Sequence, residues 1–187
     1  ASPLPGVYDP GSPETGDPIF LKTTCLVTFR YDYRLAGEAL ADVRGTISLR
    51  AEARDTNGWR RTFPLVDDIS FDGTTTFVQA DVNPCQILST LRQAEEKTEL
   101  WRAGYMLDII PEVVISGQKV DGSPMETSFA PALTFLLDDY QMYVQSESAE
   151  ENDPLSPFEE ESQAVSNQVP NLIQFPGFAI TVSIARI

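Results

Sequence analysis

The sequence has no histidine and only two cysteines, and each shortage removes a class of site. Histidine is the usual proton shuttle at neutral pH and the most common metal ligand, so a Ser-His-Asp triad is excluded. Cys25 and Cys85 lie far apart in unrelated contexts, without the spacing of a zinc or redox motif. Two alternatives stay open for them: one disulfide in an oxidising compartment, or a buried Cys25 with a free Cys85 thiol near a helix start.

Positive charge is also scarce, with 13 lysines and arginines against 28 acidic residues and a formal net charge of −15. Binding to nucleic-acid phosphates needs clustered cations, so no nucleic-acid partner is predicted. An anionic membrane surface is disfavoured for the same electrostatic reason. No apolar run reaches the roughly 18 residues of a membrane span. We therefore expect membrane attachment only through a tether outside these 187 residues.

Two common catalytic motifs are missing as well. The sequence contains neither a G-x-S-x-G nucleophile elbow nor a glycine-rich phosphate loop. Together with the missing histidine, these absences predict a protein that is not an enzyme and has no catalytic or cofactor-binding residues.

Alternation of apolar and polar residues is the strongest positive signal. Residues 25–35 place apolar and aromatic side chains on one face and polar ones on the other, and residues 43–54 repeat the pattern. A period of two indicates half-buried antiparallel strands. The segment D-T-N-G at 55–58 is typical of a hairpin turn, because Asn-Gly accepts positive φ values. Such strands, with turn signals at regular intervals, predict a mainly β fold, specifically an immunoglobulin-like antiparallel β-sandwich.

Helical periodicity is clear in one place, at about residues 84–97. Asn83 is a suitable N-cap and Pro84 a suitable first helical residue. We therefore predict one short helix inserted midway through the sandwich. Its apolar face consists of Ile87, Leu88 and Leu91, and its last residues include Glu95, Glu96 and Lys97.

Changes in composition divide the chain into four parts. Residues 1–18 are rich in proline and glycine and read as an extended lead-in. Residues 19–145 form the β-sandwich body. Residues 146–170 hold seven acidic residues and no basic ones, which predicts a flexible segment. Residues 171–187 return to alternation and are predicted to be a final strand that rejoins the sandwich.

The candidate surface sites lie near a predicted strand that begins at Trp59. This strand contains Pro64, which indicates either an edge strand or a strand that ends early. Trp59 follows a turn, so we expect it to be partly exposed and to offer a possible binding surface. Asp67, Asp68 and Asp72 fall in a predicted polar turn, D-D-I-S-F-D-G-T. They are calcium candidates because hard cations take carboxylate oxygens, and the alternative is that they are solvated turn acids.

An ordered series of short motifs resembles a known family. That family is catalogued only as a domain of unknown function and contains membrane-anchored proteins of archaea and bacteria. The resemblance covers roughly residues 7–145, with the difference that Glu99 stands where the family commonly has glycine after threonine. It implies an extracytoplasmic β domain on a membrane tether, and it carries over no catalytic residues. The motifs are Y-D-P, D-P-I-F, F-R-Y-D-Y (29–33), G-W-R-R-T-F-P-L (58–65), F-D-G (71–73), E-E-K-T-E (95–99), Y-M-L-D-I-I-P-E-V (105–113) and F-A-P-A-L-T-F (129–135).

The leading functional hypothesis is a non-enzymatic, extracytoplasmic domain of a membrane-tethered envelope protein, which binds or scaffolds another envelope component. The alternative is a carbohydrate-binding or calcium-dependent glycan-recognition module that uses acidic turns and exposed aromatic residues. The further aromatic candidates for such a face are Tyr31, Tyr33, Trp101, Tyr105, Tyr140 and Tyr143, although alternation places Tyr31 and Tyr33 with the core residues of their strand.

Overall fold

The computed structural model describes residues 17–35, 41–119, 121–145, 173–175 and 178–182. Strands follow one another through these residues, and a helix lies between the fifth and sixth strands. The elements are β1 (Ile19–Phe20), β2 (Val27–Arg34), β3 (Ala41–Arg54), β4 (Arg60–Asp72), β5 (Thr75–Val82), α1 (Pro84–Thr98), β6 (Tyr105–Gln118), β7 (Pro124–Phe129), β8 (Leu133–Leu137), β9 (Gln141–Val144), β10 (Ile173–Phe175) and β11 (Phe178–Val182).

The strands form two antiparallel sheets. The larger sheet has the order β1-β9-β8-β6-β3-β4, and β7 pairs with the second half of the long strand β6, beyond the part that pairs with β8. The smaller sheet has the order β10-β11-β2-β5. Strand β11 places Ile180 opposite Phe29 of β2, so the end of the described chain is part of the smaller sheet.

The inner faces of the two sheets share one core. Phe29 of β2 and Phe135 of β8 are buried and meet edge to face, with ring centroids 5.5 Å apart. Alternate residues of β2 are buried as the sequence pattern requires, from Val27 to Tyr33. The prediction of a mainly β sandwich with one inserted helix is therefore confirmed. Its immunoglobulin-like part stays a prediction.

Helix α1 begins and ends as its sequence specifies. The side chain of Asn83 accepts a hydrogen bond from the backbone N–H of Gln86 at 2.9 Å, and Pro84 occupies the first turn. The helix ends at Glu99, which adopts a left-handed conformation with φ of 55°. The predicted apolar face is buried, and it is continued by one residue that the sequence did not single out as buried, Glu95.

The predicted polar turn around Asp67 and Asp68 is wrong, because β4 continues through it to Asp72. Strand β4 stays paired with β3 across two register shifts. At these shifts the longer segment from Pro64 to Ile69 lies opposite the shorter β3 segment from Ile47 to Arg50. Since β4 is at the end of the sheet order and mostly exposed, polar side chains are tolerated there. The turn itself is at Gly73, whose φ is +96°.

Two of the predicted divisions of the chain cannot be compared with the fold. Except for Asp17 and Pro18, the predicted lead-in at 1–18 lies outside the described residues. The predicted acidic segment at 146–170 lies wholly outside them.

A disulfide joins Cys25 to Cys85, and the two Cα atoms are 5.4 Å apart. Cys25 lies two residues before the start of β2, and Cys85 is the second residue of α1. Val27 and Val82 are opposite each other at this end of the β2–β5 pair, so the disulfide fixes the start of the helix against the edge of the smaller sheet. Of the two alternatives that the sequence left open, the structure has the disulfide.

Reduction of this disulfide should destabilise the fold. The bond closes a loop with a sequence separation of 60, and in the chain-entropy model a loop of that size contributes about 4 kcal/mol. We expect dithiothreitol to lower the urea midpoint accordingly, as followed by circular dichroism. A Cys25→Ala/Cys85→Ala double variant is the control, since reductant should leave its midpoint unchanged. An unchanged midpoint in fully reduced wild-type protein, with both thiols alkylated, would contradict the expected role.

Candidate functional site

The loop between α1 and β6 is fixed by one residue, Arg102. Its backbone N–H donates to Glu95 Oε1 at 2.9 Å, and its backbone carbonyl accepts from Arg92 Nη1 at 2.8 Å. Its Nε donates to Asp55 Oδ2 at 2.6 Å, and its Nη1 donates to the carbonyl of Leu100 at 2.9 Å. Both the helix and the hairpin turn therefore determine the conformation of this loop.

Glu95 is the buried acceptor at the centre of the network, with an exposed fraction of 0%. Its Oε1 also accepts from the Tyr105 hydroxyl at 2.8 Å, and its Oε2 accepts from Arg92 at 2.7 Å. Burial by itself would raise the pKa of this carboxyl. The hydrogen bonds from Arg92, Tyr105 and the Arg102 backbone outweigh burial and hold the pKa of Glu95 below its ordinary value of 4.5.

The same network changes the ionisation of Tyr105. Burial and the hydrogen bond to the Glu95 carboxylate together raise the pKa of Tyr105 to about 12. The phenol therefore remains a hydrogen-bond donor at any physiological pH. Arg92 continues the network to the surface, where its Nη2 is 2.8 Å from Asp139 Oδ1.

Asp55 organises the hairpin turn that the sequence predicted between β3 and β4. Its Oδ1 accepts from the backbone N–H groups of Asn57 and Trp59, each at 2.9 Å. Gly58 has a φ of +87°, which the glycine of an Asn-Gly turn adopts without strain. The hydrogen bond from Arg102 is the main cause that lowers the pKa of Asp55; burial opposes it, and the two backbone N–H groups reinforce it. The predicted hairpin is confirmed.

An open cleft of about 600 Å³ lies next to this network, on the outer face of the larger sheet. This volume is typical of small-molecule sites. Walls are provided by the loop at 101–104 and the turn at 55–57. The floor is a row of directly opposed residues on four neighbouring strands, namely Arg54, Met106, Leu136 and Tyr143.

The charged residues that line the cleft are already paired within the protein. Arg54 Nε is 2.7 Å from Asp108 Oδ2, and the other oxygen of Asp108 accepts from the Thr134 hydroxyl at 2.6 Å. Asp138 Oδ1 accepts from the backbone N–H groups of the turn that follows it. Arg102 and Asp55 bind each other. The lining therefore has no excess of either charge, and most of its surface is apolar.

The two tryptophans have different roles at this site. Trp101 is at the rim of the cleft with 69% of its surface exposed. Trp59, the predicted binding aromatic, is half-buried: its ring centroid is 6.0 Å from that of Tyr105, and the Arg102 guanidinium is 5.3 Å from its ring. Trp59 thus supports the network and does not line the cleft. The useful signal in the sequence was Leu100-Trp101, two large apolar residues that directly follow a polar helix end and are both exposed.

The calcium candidates are not brought together with other ligands. Asp67 and Asp68 are consecutive exposed residues within β4, and Asp72 at its end is 3.8 Å from Arg44. Within the described ranges, no three His, Cys, Asp or Glu side chains are close enough to share a metal ion. These acids are also separate from the cleft, which they do not line.

Comparisons with known proteins give no relative for this chain: no family model, curated protein or solved structure matches it. In the part of the chain that the structure describes, there is no helix long and apolar enough to span a membrane.

Removal of the Glu95 charge should destabilise the protein at neutral pH. Glu95→Gln leaves the Arg92 guanidinium without its buried partner, and loss of one member of a buried ion pair costs about 3 kcal/mol. Because the folded-state pKa of Glu95 is depressed, its contribution is present above pH 4.5 and is lost as the pH falls through the folded-state value. The difference between wild type and variant should therefore shrink from pH 7 to pH 3, as measured by urea unfolding.

The adjacent residue provides a matched control for this experiment. Glu96 is exposed on the same helix, so Glu96→Gln should change the free energy of unfolding by only a few tenths of a kcal/mol at either pH. A Glu95→Gln penalty that is equal at pH 7 and pH 3 would contradict the assigned ionisation.

Proposed function

We propose that this chain is a non-enzymatic binding domain of a membrane-tethered protein, and that it works outside the cytoplasm by holding or scaffolding another component of the cell envelope. The tether is outside the 187 residues. This is the arrangement that the resemblance to membrane-anchored proteins of unknown function implies.

The Cys25–Cys85 disulfide is the observation that carries the proposal. Structural disulfides form and persist in oxidising compartments and are rare where thiols are kept reduced. This one involves the only two cysteines of the sequence, and it joins the segment just before β2 to the start of the helix. Its structural position favours a permanent bond over a regulatory one.

The chemistry around the cleft favours binding over catalysis. General acid–base groups need a free lone pair or proton that reaches the substrate. Both oxygens of Glu95 and both oxygens of Asp55 accept hydrogen bonds from the protein itself. Their shifted pKa values are therefore explained by a structural network, and the cleft beside them is available to hold a ligand.

The first test is the redox state of the full-length protein in its own cells. After acid trapping of thiols, a polyethylene-glycol maleimide should shift the protein in a gel only if the sample was reduced beforehand. A shift without reduction that a Cys25→Ala/Cys85→Ala variant does not show would mean that Cys25 and Cys85 are thiols in the cell, and it would overturn the extracytoplasmic placement.

Binding is tested with the purified chain and sedimented envelope fragments. We expect saturable co-sedimentation that Trp101→Ala weakens by at least about tenfold, since truncating a hot-spot aromatic residue costs about 2 kcal/mol or more and tenfold corresponds to about 1.4 kcal/mol. Tyr140→Ala is the matched control, because Tyr140 is a comparably exposed aromatic, at 66%, that does not line the cleft. Equal effects of the two substitutions would contradict the use of the cleft.

A further inference from the structure

We infer that the cleft beside Arg102 recognises an uncharged saccharide, which would be the envelope component held by the domain; this inference rests on the proposed function. The ligand class follows from three properties of the cleft, namely its aromatic rim, its balanced charge and its rigidity.

The apolar part of the cleft is suited to a flat, partly apolar ligand. Trp101 presents its indole at the rim, and the exposed side of the floor includes Met106, Leu136 and Tyr143. A solvent-exposed tryptophan held next to a concave surface is characteristic of a binding site. The C–H face of a sugar ring stacks on such an aromatic surface, while its hydroxyls remain at the edge and can form hydrogen bonds.

The charges of the cleft disfavour an ionic ligand. Two arginines and two aspartates line it, and both arginines are already bound to carboxylates: Arg54 to Asp108 and Arg102 to Asp55. A phosphate, sulfate or uronate would have to displace one of these carboxylates from its charge-assisted hydrogen bond. A cationic ligand would have to compete with Arg102 for Asp55, and Asp138, the other aspartate of the lining, already accepts two backbone N–H groups through its Oδ1. An uncharged ligand requires neither exchange.

Polar groups of the kind that bind hydroxyls complete the lining. Thr56 and Asn57 lie on the hairpin side, while Asp138 and Gln145 lie on the opposite side. Amide and carboxylate groups offer both donors and acceptors to sugar hydroxyls, which are themselves donors and acceptors. A cleft of about 600 Å³ gives room for a short oligosaccharide.

The backbone that carries the aromatic rim is held in place before any ligand arrives. Trp101 stands between Glu99, where the helix ends, and Arg102, whose backbone N–H and carbonyl are both held by helix residues. A binding group on a backbone fixed in this way loses little backbone conformational entropy on association. This matters for saccharides, whose individual contacts are weak.

The direct test uses nuclear magnetic resonance of the wild-type chain, whose two tryptophans give two indole N–H signals. The probes are uncharged tetrasaccharides of glucose, mannose and N-acetylglucosamine, with tetragalacturonate as the anionic comparison. We expect at least one uncharged probe to shift the Trp101 indole signal in a saturable way, with no more than a minor shift at Trp59. The spectrum of Trp101→Phe assigns the two signals.

Two variants and a change of calcium concentration then test whether binding depends on Trp101 and on a metal ion, and whether any loss of binding is caused by misfolding. Trp101→Ala should weaken the apparent affinity by at least about tenfold, while Tyr140→Ala should leave it unchanged. Backbone signals that match the wild type would show that each variant is folded. Binding should be the same with calcium and with a chelator, since no metal is part of the inferred recognition.

Treated envelope fragments distinguish failure of this inference from failure of the proposed function. Periodate cleaves vicinal diols, which 1,4-linked glucose and mannose have and internal residues of 1,4-linked N-acetylglucosamine lack. It should abolish co-sedimentation if the glucose or mannose probe is the one that binds, and a glycosidase specific for N-acetylglucosamine should do so if that probe binds, whereas protease treatment should not. Binding that survives periodate but not protease would leave the proposed function intact and overturn the saccharide. No shift of Trp101 with any uncharged probe, tighter binding of tetragalacturonate, or loss of binding in chelator would also overturn the inference.

Discussion

The rest of the site depends on the hydrogen bonds that the buried Glu95 carboxylate accepts. Its donors are the Arg102 backbone N–H, the Arg92 guanidinium and the Tyr105 hydroxyl. A fully buried carboxylate is tolerated only when its oxygens accept hydrogen bonds within the protein. Here the donors belong to α1, to the loop that follows it and to β6. The side chain of Arg102 then connects this loop to the hairpin turn, because its Nε donates a hydrogen bond to Asp55. One end of the sandwich is thereby held together by polar contacts.

Such a network determines the conformation of the loop more than it increases the net free energy of unfolding. Whole buried ion-pair networks can often be replaced by apolar side chains at little cost, whereas removal of one member is expensive. Apolar contacts alone would let the loop at 99–104 adopt several similar packings, but directional hydrogen bonds select one. That selection is why Trp101 is displayed at the rim and Trp59 is retained beneath Arg102. The shape of the cleft is a consequence of how the helix ends.

Local sequence patterns were a good guide wherever the determining contacts are local. Alternation identified β2 and β3, D-T-N-G identified the hairpin turn between β3 and β4, and Asn83-Pro84 identified the start of α1. Each of these features depends on residues only a few positions apart in the chain. The polar stretch around Asp67 resembles a turn but is a strand, because β4 is maintained by pairing with β3 and by its exposed edge position, and neither can be read from the composition of β4 itself.

The sequence alone therefore determined the β-rich architecture, the inserted helix and the absence of histidine-based chemistry, all of which follow from composition and short-range periodicity. Only the tertiary structure showed that the two cysteines form a disulfide, which tryptophan is more exposed and which glutamate is buried. Each of these depends on groups distant in the chain: Cys25 meets Cys85 across 60 positions, and Arg102 reaches Asp55 across 47. Periodicity specifies the face on which a residue lies, whereas only the packed fold specifies what that face meets.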